Sequence, residues 1–265
     1  MISNSKIIDT GIQSLKGFRL KAAGMTFFGP IALAILLGVS NIICGTADIV
    51  ENPTLKNYLI DCLISFVLQS SLIYLFTIGF YAYFHDIYKH RTSSAAMIFA
   101  GFKKFIRNIA VLGIVTLITG IYFAITCGIM FFYLSRYTLD NNFVSFCILV
   151  LVMGALCSYL TYKFLPTWIG LVIKLPTDDT TGPIELIKQT YSQVSDYNFK
   201  FLCLTLRLAL WNLLGVITIG IGFLWTIPLC TISAVIFFDT IFNPEEGTPP
   251  KIPENPQTPE ADSVL

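Results

Sequence analysis

The run FLCLTLRLALWNLLGVITIGIGFLWTIPLCTISAVIFFDTIF, residues 201–242, decides the fold class of this chain. It is 42 residues long and holds only two charged side chains, Arg207 and Asp239. A bilayer core about 30 Å thick is crossed by about 20 helical residues, so the run is long enough for two crossings joined by a tight turn. Its inner part, Leu208 to Phe238, read alone, would also serve as one long tilted helix. Gly220 and Gly222 lie midway, Trp225 follows as an interfacial anchor would, and Asn243-Pro244 ends the run, which favours the hairpin.

The same pattern extends back along the chain. Stretches without Asp, Glu, Lys, Arg or His run from Ala22 to Ala47, Cys62 to Phe84, Ile109 to Ser135 and Asn141 to Tyr162, each one crossing long. The expected architecture is an all-α polytopic membrane bundle of six transmembrane helices, over about 25–44, 62–84, 109–134, 143–162, 201–219 and 222–242. Composition agrees: 55% of the 265 residues are apolar and 12% charged, against roughly 45–50% and about 25% in soluble domains. With 17 bases against 16 acids, no global field argues for a nucleic-acid partner. The partners expected are the lipid bilayer and a membrane protein or a second copy of the chain. The final stretch, 243–265, is rich in Pro and Glu, cannot bury a core and is expected to be disordered.

Basic residues set the expected orientation. When loops are assigned alternately to two sides, one side holds fourteen Lys and Arg and the other only Lys56 and Arg136. The positive-inside bias then places both termini in the cytoplasm. The apolar stretch from Ala22 is too long for a signal-peptide core, so the first span is expected to remain as an anchor.

Three short amphipathic stretches stand before the odd-numbered spans, each ending in a small or polar residue, an aromatic and a base: Gly17-Phe18-Arg19, Gly101-Phe102-Lys103 and Asp196-Tyr197-Asn198-Phe199-Lys200. At helical period, Ile8, Ile12, Leu15 and Phe18 share a face in the first. Ile98, Phe102, Phe105 and Ile109 do so in the second, and Ile184, Ile187, Tyr191 and Val194 in the third. The spacing predicts interfacial helices over Ile7–Phe18, Ser94–Phe105 and Pro183–Val194, and a threefold repeat of helix plus hairpin around an axis along the membrane normal.

The stretch from Pro183 to Phe242 resembles a group of bacterial six-span membrane proteins of no established activity. The resemblance is carried by Ile184-Glu185-Leu186-Ile187-Lys188-Gln189, Ala209-Leu210-Trp211-Asn212-Leu213-Leu214, Gly220-Ile221-Gly222-Phe223-Leu224-Trp225-Thr226-Ile227-Pro228 and Phe237-Phe238-Asp239. That group is distantly similar to the membrane region attached to some glycerophosphodiester phosphodiesterases. The resemblance implies a bacterial cytoplasmic-membrane location and transfers no catalytic residue.

Catalytic patterns are missing from the sequence: no His-Glu-x-x-His, Gly-x-Ser-x-Gly or phosphate loop occurs. No metal or cofactor is expected, since the seven cysteines are scattered singly through apolar blocks and His85 and His90 diverge by about 140° on a helix. Asp178 and Asp179 read as a solvated helix entry, or less simply as a cation site. The better candidates lie within the membrane. Arg207 is about 10 Å along the helix that begins at Lys200, at a depth similar to Asp239 on the returning helix. A charge in hydrocarbon costs several kcal/mol unless paired or snorkelling, so an Arg207–Asp239 pair is expected. It would be a staple in one reading and part of a transport path in the other. Asn212 is expected to bond a neighbouring helix. The leading function is a non-enzymatic membrane protein that organises membrane or partner proteins. The alternative is a small transporter or channel with a polar path at Arg207, Asp239 and Asn212.

Overall fold

A computed structural model describes residues 3–45, 55–92, 94–137, 143–178, 180–218 and 222–244. Among them are eight α-helices, one 3-10 segment and no strand. The helices are α1 (Asn4–Ser14), α2 (Arg19–Gly45), α3 (Leu55–His90), α4 (Phe105–Tyr137), α5 (Phe143–Lys174), α6 (Pro183–Ser195), α7 (Asn198–Ile217) and α8 (Phe223–Phe242), with the 3-10 segment Ala95–Phe102 before α4. Five stretches are long and apolar enough to cross a membrane: Arg19–Val39, Val67–His90, Phe105–Thr126, Gly154–Lys174 and Phe223–Phe242. The run 201–242 therefore lies on two helices rather than one. The expected disordered tail beyond residue 244 lies outside the described residues.

The long helices overrun their apolar blocks. At 36 residues α3 is about 54 Å long, well beyond a bilayer core of about 30 Å. It continues through Tyr83–His90 because that more polar end packs on protein: Phe84 and Ile87 are fully buried, and Asp86 accepts a hydrogen bond from Thr92. Likewise α5 passes Lys163 and Pro166 to reach Lys174, burying Leu171 and Val172 against Ile78, Val111 and Leu112. In lipid, hydrophobicity does not hold helices together and close contact must do so. At the overrun ends, burial counts as it does in water, at about 1.5–3 kcal/mol for a side chain such as Phe.

The bundle is built around α8, which is buried from Thr231 through Asp239 without interruption. Phe201 of α7 stacks against both Phe237 and Phe238 at 5.4 and 5.3 Å between centroids. Gly170 of α5 leaves room for Phe238: a Cβ there would stand 3.2 Å from its ring. Gly11 of α1 does the same for Ser233, whose Oγ would lie 3.1 Å away.

The three short segments stand where the amphipathic stretches were expected, each one tight turn before α2, α4 or α7. Their buried faces match the expected ones only in part, at Ile8, Leu15, Ile98 and Val194. In α1 the buried residues are Ile7, Ile8, Thr10, Gly11 and Ser14, while Ile12 and Phe18 are only partly covered. In α6 the buried line is Leu186, Thr190 and Val194, and Ile184 is 74% exposed. The apolar residues of α6 thus divide between a face on the bundle and a face turned outward.

The middle segment is not an α-helix. Three residues per turn align Ile98 with Gly101, and both press on α3. A Cβ on Gly79 would meet the Ile98 carbonyl oxygen at 1.8 Å, and one on Gly101 would meet that of Leu75 at 2.1 Å. The same eclipsing brings Phe99 and Phe102 each within 6.1 Å of Phe76. Two backbones in contact through paired glycines, rather than an apolar stripe at helical period, hold this segment.

The order of short segment plus two long helices recurs three times, but the packing is unequal. Helix α8 is buried without a break from Thr231 to Asp239 and exposes only Trp225 and Ile227 among its large apolar residues near its start, whereas its counterparts α3 and α5 expose Val67, Leu68 and Ile73, and Leu151, Val152 and Leu156.

The glycine contact yields a direct test. Ala normally gains about 1 kcal/mol over Gly inside a helix, yet Gly79→Ala should lower the melting temperature of the purified protein because its Cβ strikes backbone that cannot rotate away. Overpacking of this kind costs about 1–3 kcal/mol or more. Gly113→Ala, with nothing within 4 Å, should be neutral or stabilising. Equal melting temperatures for the two variants would dissolve the contact.

Candidate functional site

Charged side chains meet where the ends of α3, α5 and α8 converge. His85 and Lys89 are four residues apart and so share one face of α3. That face meets the last turn of α8, where Lys89 Nζ lies 3.2 Å and His85 Nε2 3.9 Å from the Asp239 carboxylate. The Asn243 amide completes the set, donating to Asp239 Oδ1 at 2.9 Å. The side chains of Asp239 and Lys89 are 9% and 21% exposed, so the pair is largely desolvated. Two attractive partners and an amide offset a burial cost that a lone carboxylate would not survive.

The neighbouring corner is held by arginines. Arg91 closes α3 with a left-handed backbone (φ 55°) and donates to the Ser14 carbonyl at 2.7 Å, tying the end of α1 to the end of α3. Arg107 of α4 donates to the carbonyls of Leu175 at 3.0 Å and of Asp178, so a cation sits at the negative end of the α5 dipole. The Asp178 carboxylate accepts from the Thr180 and Thr181 backbone N–H groups, both at 3.1 Å, and from the Thr181 hydroxyl at 2.8 Å. Burial acts to raise the Asp178 carboxyl, but those hydrogen bonds and the Lys174 charge outweigh it and hold it below the usual carboxylate range.

Between these elements is a cavity of about 650 Å³ lined by His85, Lys89, His90, Lys174, Asp178 and Asp239. Lys174 stands at its edge, donating to Gln193 Oε1 at 3.3 Å and lying 5.3 Å from the centre of the Phe242 ring. The two histidines, divergent on the helix, both reach this cavity. Among the described residues no group of three or more His, Cys, Asp or Glu side chains is placed to hold a metal ion; Asp179 lies outside them.

Of the residues singled out from sequence, Arg207 and Asp239 are placed apart, while Asn212 does reach a neighbouring helix. Arg207 does not meet Asp239. It is exposed on α7, at the flank of the face that buries Leu204 and Leu208. Similar depth put the two charges level, but the angle around α8 decides the partner, and Asp239 faces α3. Asn212 is half-buried and directs its amide at Cys230 Sγ of α8, 3.5 Å away. The residue that sequence reasoning missed is Lys89. Its signal was the four-residue spacing from His85, visible only once α3 is known to run past its apolar block.

Three other cavities lie along the bundle: one of about 510 Å³ lined by Met25, Phe28, Phe76 and Ile98, one of about 420 Å³ lined by Thr116, Thr119 and Thr161, and one of about 360 Å³ lined by Tyr162, Asn198 and Thr205. Neither Arg207 nor Asn212 lines any of the four. Compared with known proteins, the chain matches no family model, no curated protein and no solved structure.

Removing one member of a buried pair costs about 3–5 kcal/mol, while removing both is often far milder. Asp239→Leu should therefore lower the melting temperature sharply, and Lys89→Leu added to it should restore a large part. Arg207→Leu should leave stability unchanged. A restoring effect from Arg207→Leu, and none from Lys89→Leu, would reverse the assignment.

A pH series tests the Asp178 turn. Because its folded-state carboxyl is lowered, the stabilisation is complete above the unfolded value of about 4 and disappears as pH falls through the lower folded value. The melting-temperature deficit of Thr181→Val relative to the natural chain should be present at pH 7 and shrink in acid below that value. A deficit that does not change with pH would mean the Thr181 contribution is not made through the carboxylate.

Proposed function

We propose that this chain is a non-enzymatic six-span protein of the bacterial cytoplasmic membrane, which organises the membrane or a partner protein at its cytoplasmic face. In this reading α7 is the fifth crossing in chain order and raises the count from five to six. It has 20 residues, and Arg207, about 10 Å from Lys200, lets its long side chain reach the interface. An even number of crossings brings both termini to the side rich in Lys and Arg.

The observation that carries the reading is the belt around that end of the bundle. Exposed Leu20, Phe99, Ile106, Ile184, Tyr191 and Phe199 stand beside Arg19, Lys21, Lys103, Lys104, Lys188 and Lys200. Apolar side chains directed outward beside bases suit the boundary between acyl chains and an anionic leaflet. The short segments bury one side on the bundle and present another to the surroundings, as an anchoring collar would. The transport alternative would need a polar path joining Arg207 and Asn212 to Asp239, and the cavity that Asp239 lines includes neither of them.

Two measurements test this reading. A reporter active only outside the cytoplasm should be active when inserted after Asp140 and silent when fused after Leu265; activity at Leu265 would reduce the crossings to five. Vesicles reconstituted with the purified chain should keep an imposed proton or potassium gradient as long as empty vesicles do. A gradient that collapses with the natural chain, and survives with Asp239→Asn, would replace organisation with transport.

A further inference from the structure

We propose that the cavity at the ends of α3, α5 and α8 binds a phosphate group, with the Lys174 ammonium as its principal charge. The inference does not depend on the number of spans.

Pairing within the cavity shows which charges are left for a ligand. The Asp239 carboxylate is matched by Lys89 and His85, and that of Asp178 by the Thr180 and Thr181 donors. Lys174 differs. Among the described residues no carboxylate lies within salt-bridge distance of it: Asp178 feels its charge only from farther off, and its direct contacts are the neutral Gln193 amide and the Phe242 ring. An ammonium carries three donors, of which Gln193 takes one. Around it the cavity wall adds the His90 imidazole and the Thr180 hydroxyl. It also adds the second N–H of the Asn243 amide, whose first goes to Asp239. A cation with unused donors, at the edge of a cavity whose acids are already matched, selects an anion.

The form of the donors selects the kind of anion. A planar carboxylate is best met by the flat fork of an arginine, and no arginine lines this cavity. A lysine acts as a point charge, and with single donors arriving from α3, α8 and the turn after α5 it matches a tetrahedral group with several acceptor oxygens. At about 650 Å³ the space is within the usual range of ligand sites, roughly 300–1,000 Å³, and admits more than the phosphate alone. The phosphate belongs either to a lipid headgroup or to a free solute, and one experiment distinguishes them.

Purified full-length protein in detergent is titrated calorimetrically with inorganic phosphate against a chloride background of matched ionic strength. In parallel, protein in nanodiscs of phosphatidylcholine, with or without phosphatidic acid, is assayed for the lipid it retains by native mass spectrometry. Saturable phosphate binding that Lys174→Gln weakens at least about tenfold supports the site with a free phosphate as ligand. Preferential retention of phosphatidic acid, lost in Lys174→Gln while free phosphate does not bind, supports it with a headgroup as ligand. Binding of neither probe, or binding that Lys174→Gln leaves unchanged, overturns it. Should Lys174→Gln fail to fold, the double variant His90→Gln with Thr180→Val decides: weakened binding supports the site, and unchanged binding overturns it. Lys188→Gln, outside the cavity, serves as the control that should bind as the natural chain does.

Discussion

A carboxylate at the end of an otherwise apolar helix is the constraint on which this architecture turns. Asp239 closes the longest buried stretch among the described residues, and neither lipid nor a packed core tolerates an unmatched negative charge. Its partners have to come from a neighbouring helix that reaches the same level, and α3 does so only because it runs several turns past its apolar block. Once Lys89 and His85 engage Asp239, the register of α3 against α8 is set. The position of Phe84 and Ile87 in the core is set with it.

Around that axis the remaining elements are held by different physics at different depths. At the polar end, aromatic burial and charge-assisted hydrogen bonds dominate: Phe201 against Phe237 and Phe238, Arg91 on Ser14, Arg107 on the end of α5. Deeper in, the contacts are those available without water, such as the Thr116 hydroxyl donating to Tyr74 at 2.7 Å across α3 and α4. The 3-10 segment stands between these regimes. Its grip on α3 comes from two glycines that let backbones touch, a form of packing that shape alone provides.

In the proposed reading, the distribution of charge also separates anchoring from ligand chemistry. Bases next to outward-facing apolar residues form the collar of the bundle, in contact with its surroundings. Lys89, Lys174, His85 and His90 instead face a cavity enclosed by three helices and a turn. Residues of one type thus serve two tasks, and only their position on the helix surface assigns them.

Long uncharged blocks determined by themselves that the chain is helical and membrane-like, because no soluble fold needs five such stretches and no backbone but a helix satisfies its own hydrogen bonds in so few residues. Composition likewise set the polar turns, the division of residues 201–242 into two helices and the short segments before α2, α4 and α7, since glycine, proline and amphipathic period act locally. The partner of Asp239 was not legible. Depth along a helix follows from counting residues, but the direction a side chain faces depends on which helices surround it, and that turned Arg207 outward and brought in Lys89. The middle segment's 3-10 form, the outward Ile184 and the central place of α8 were decided in the same way, by close packing among elements distant in the chain.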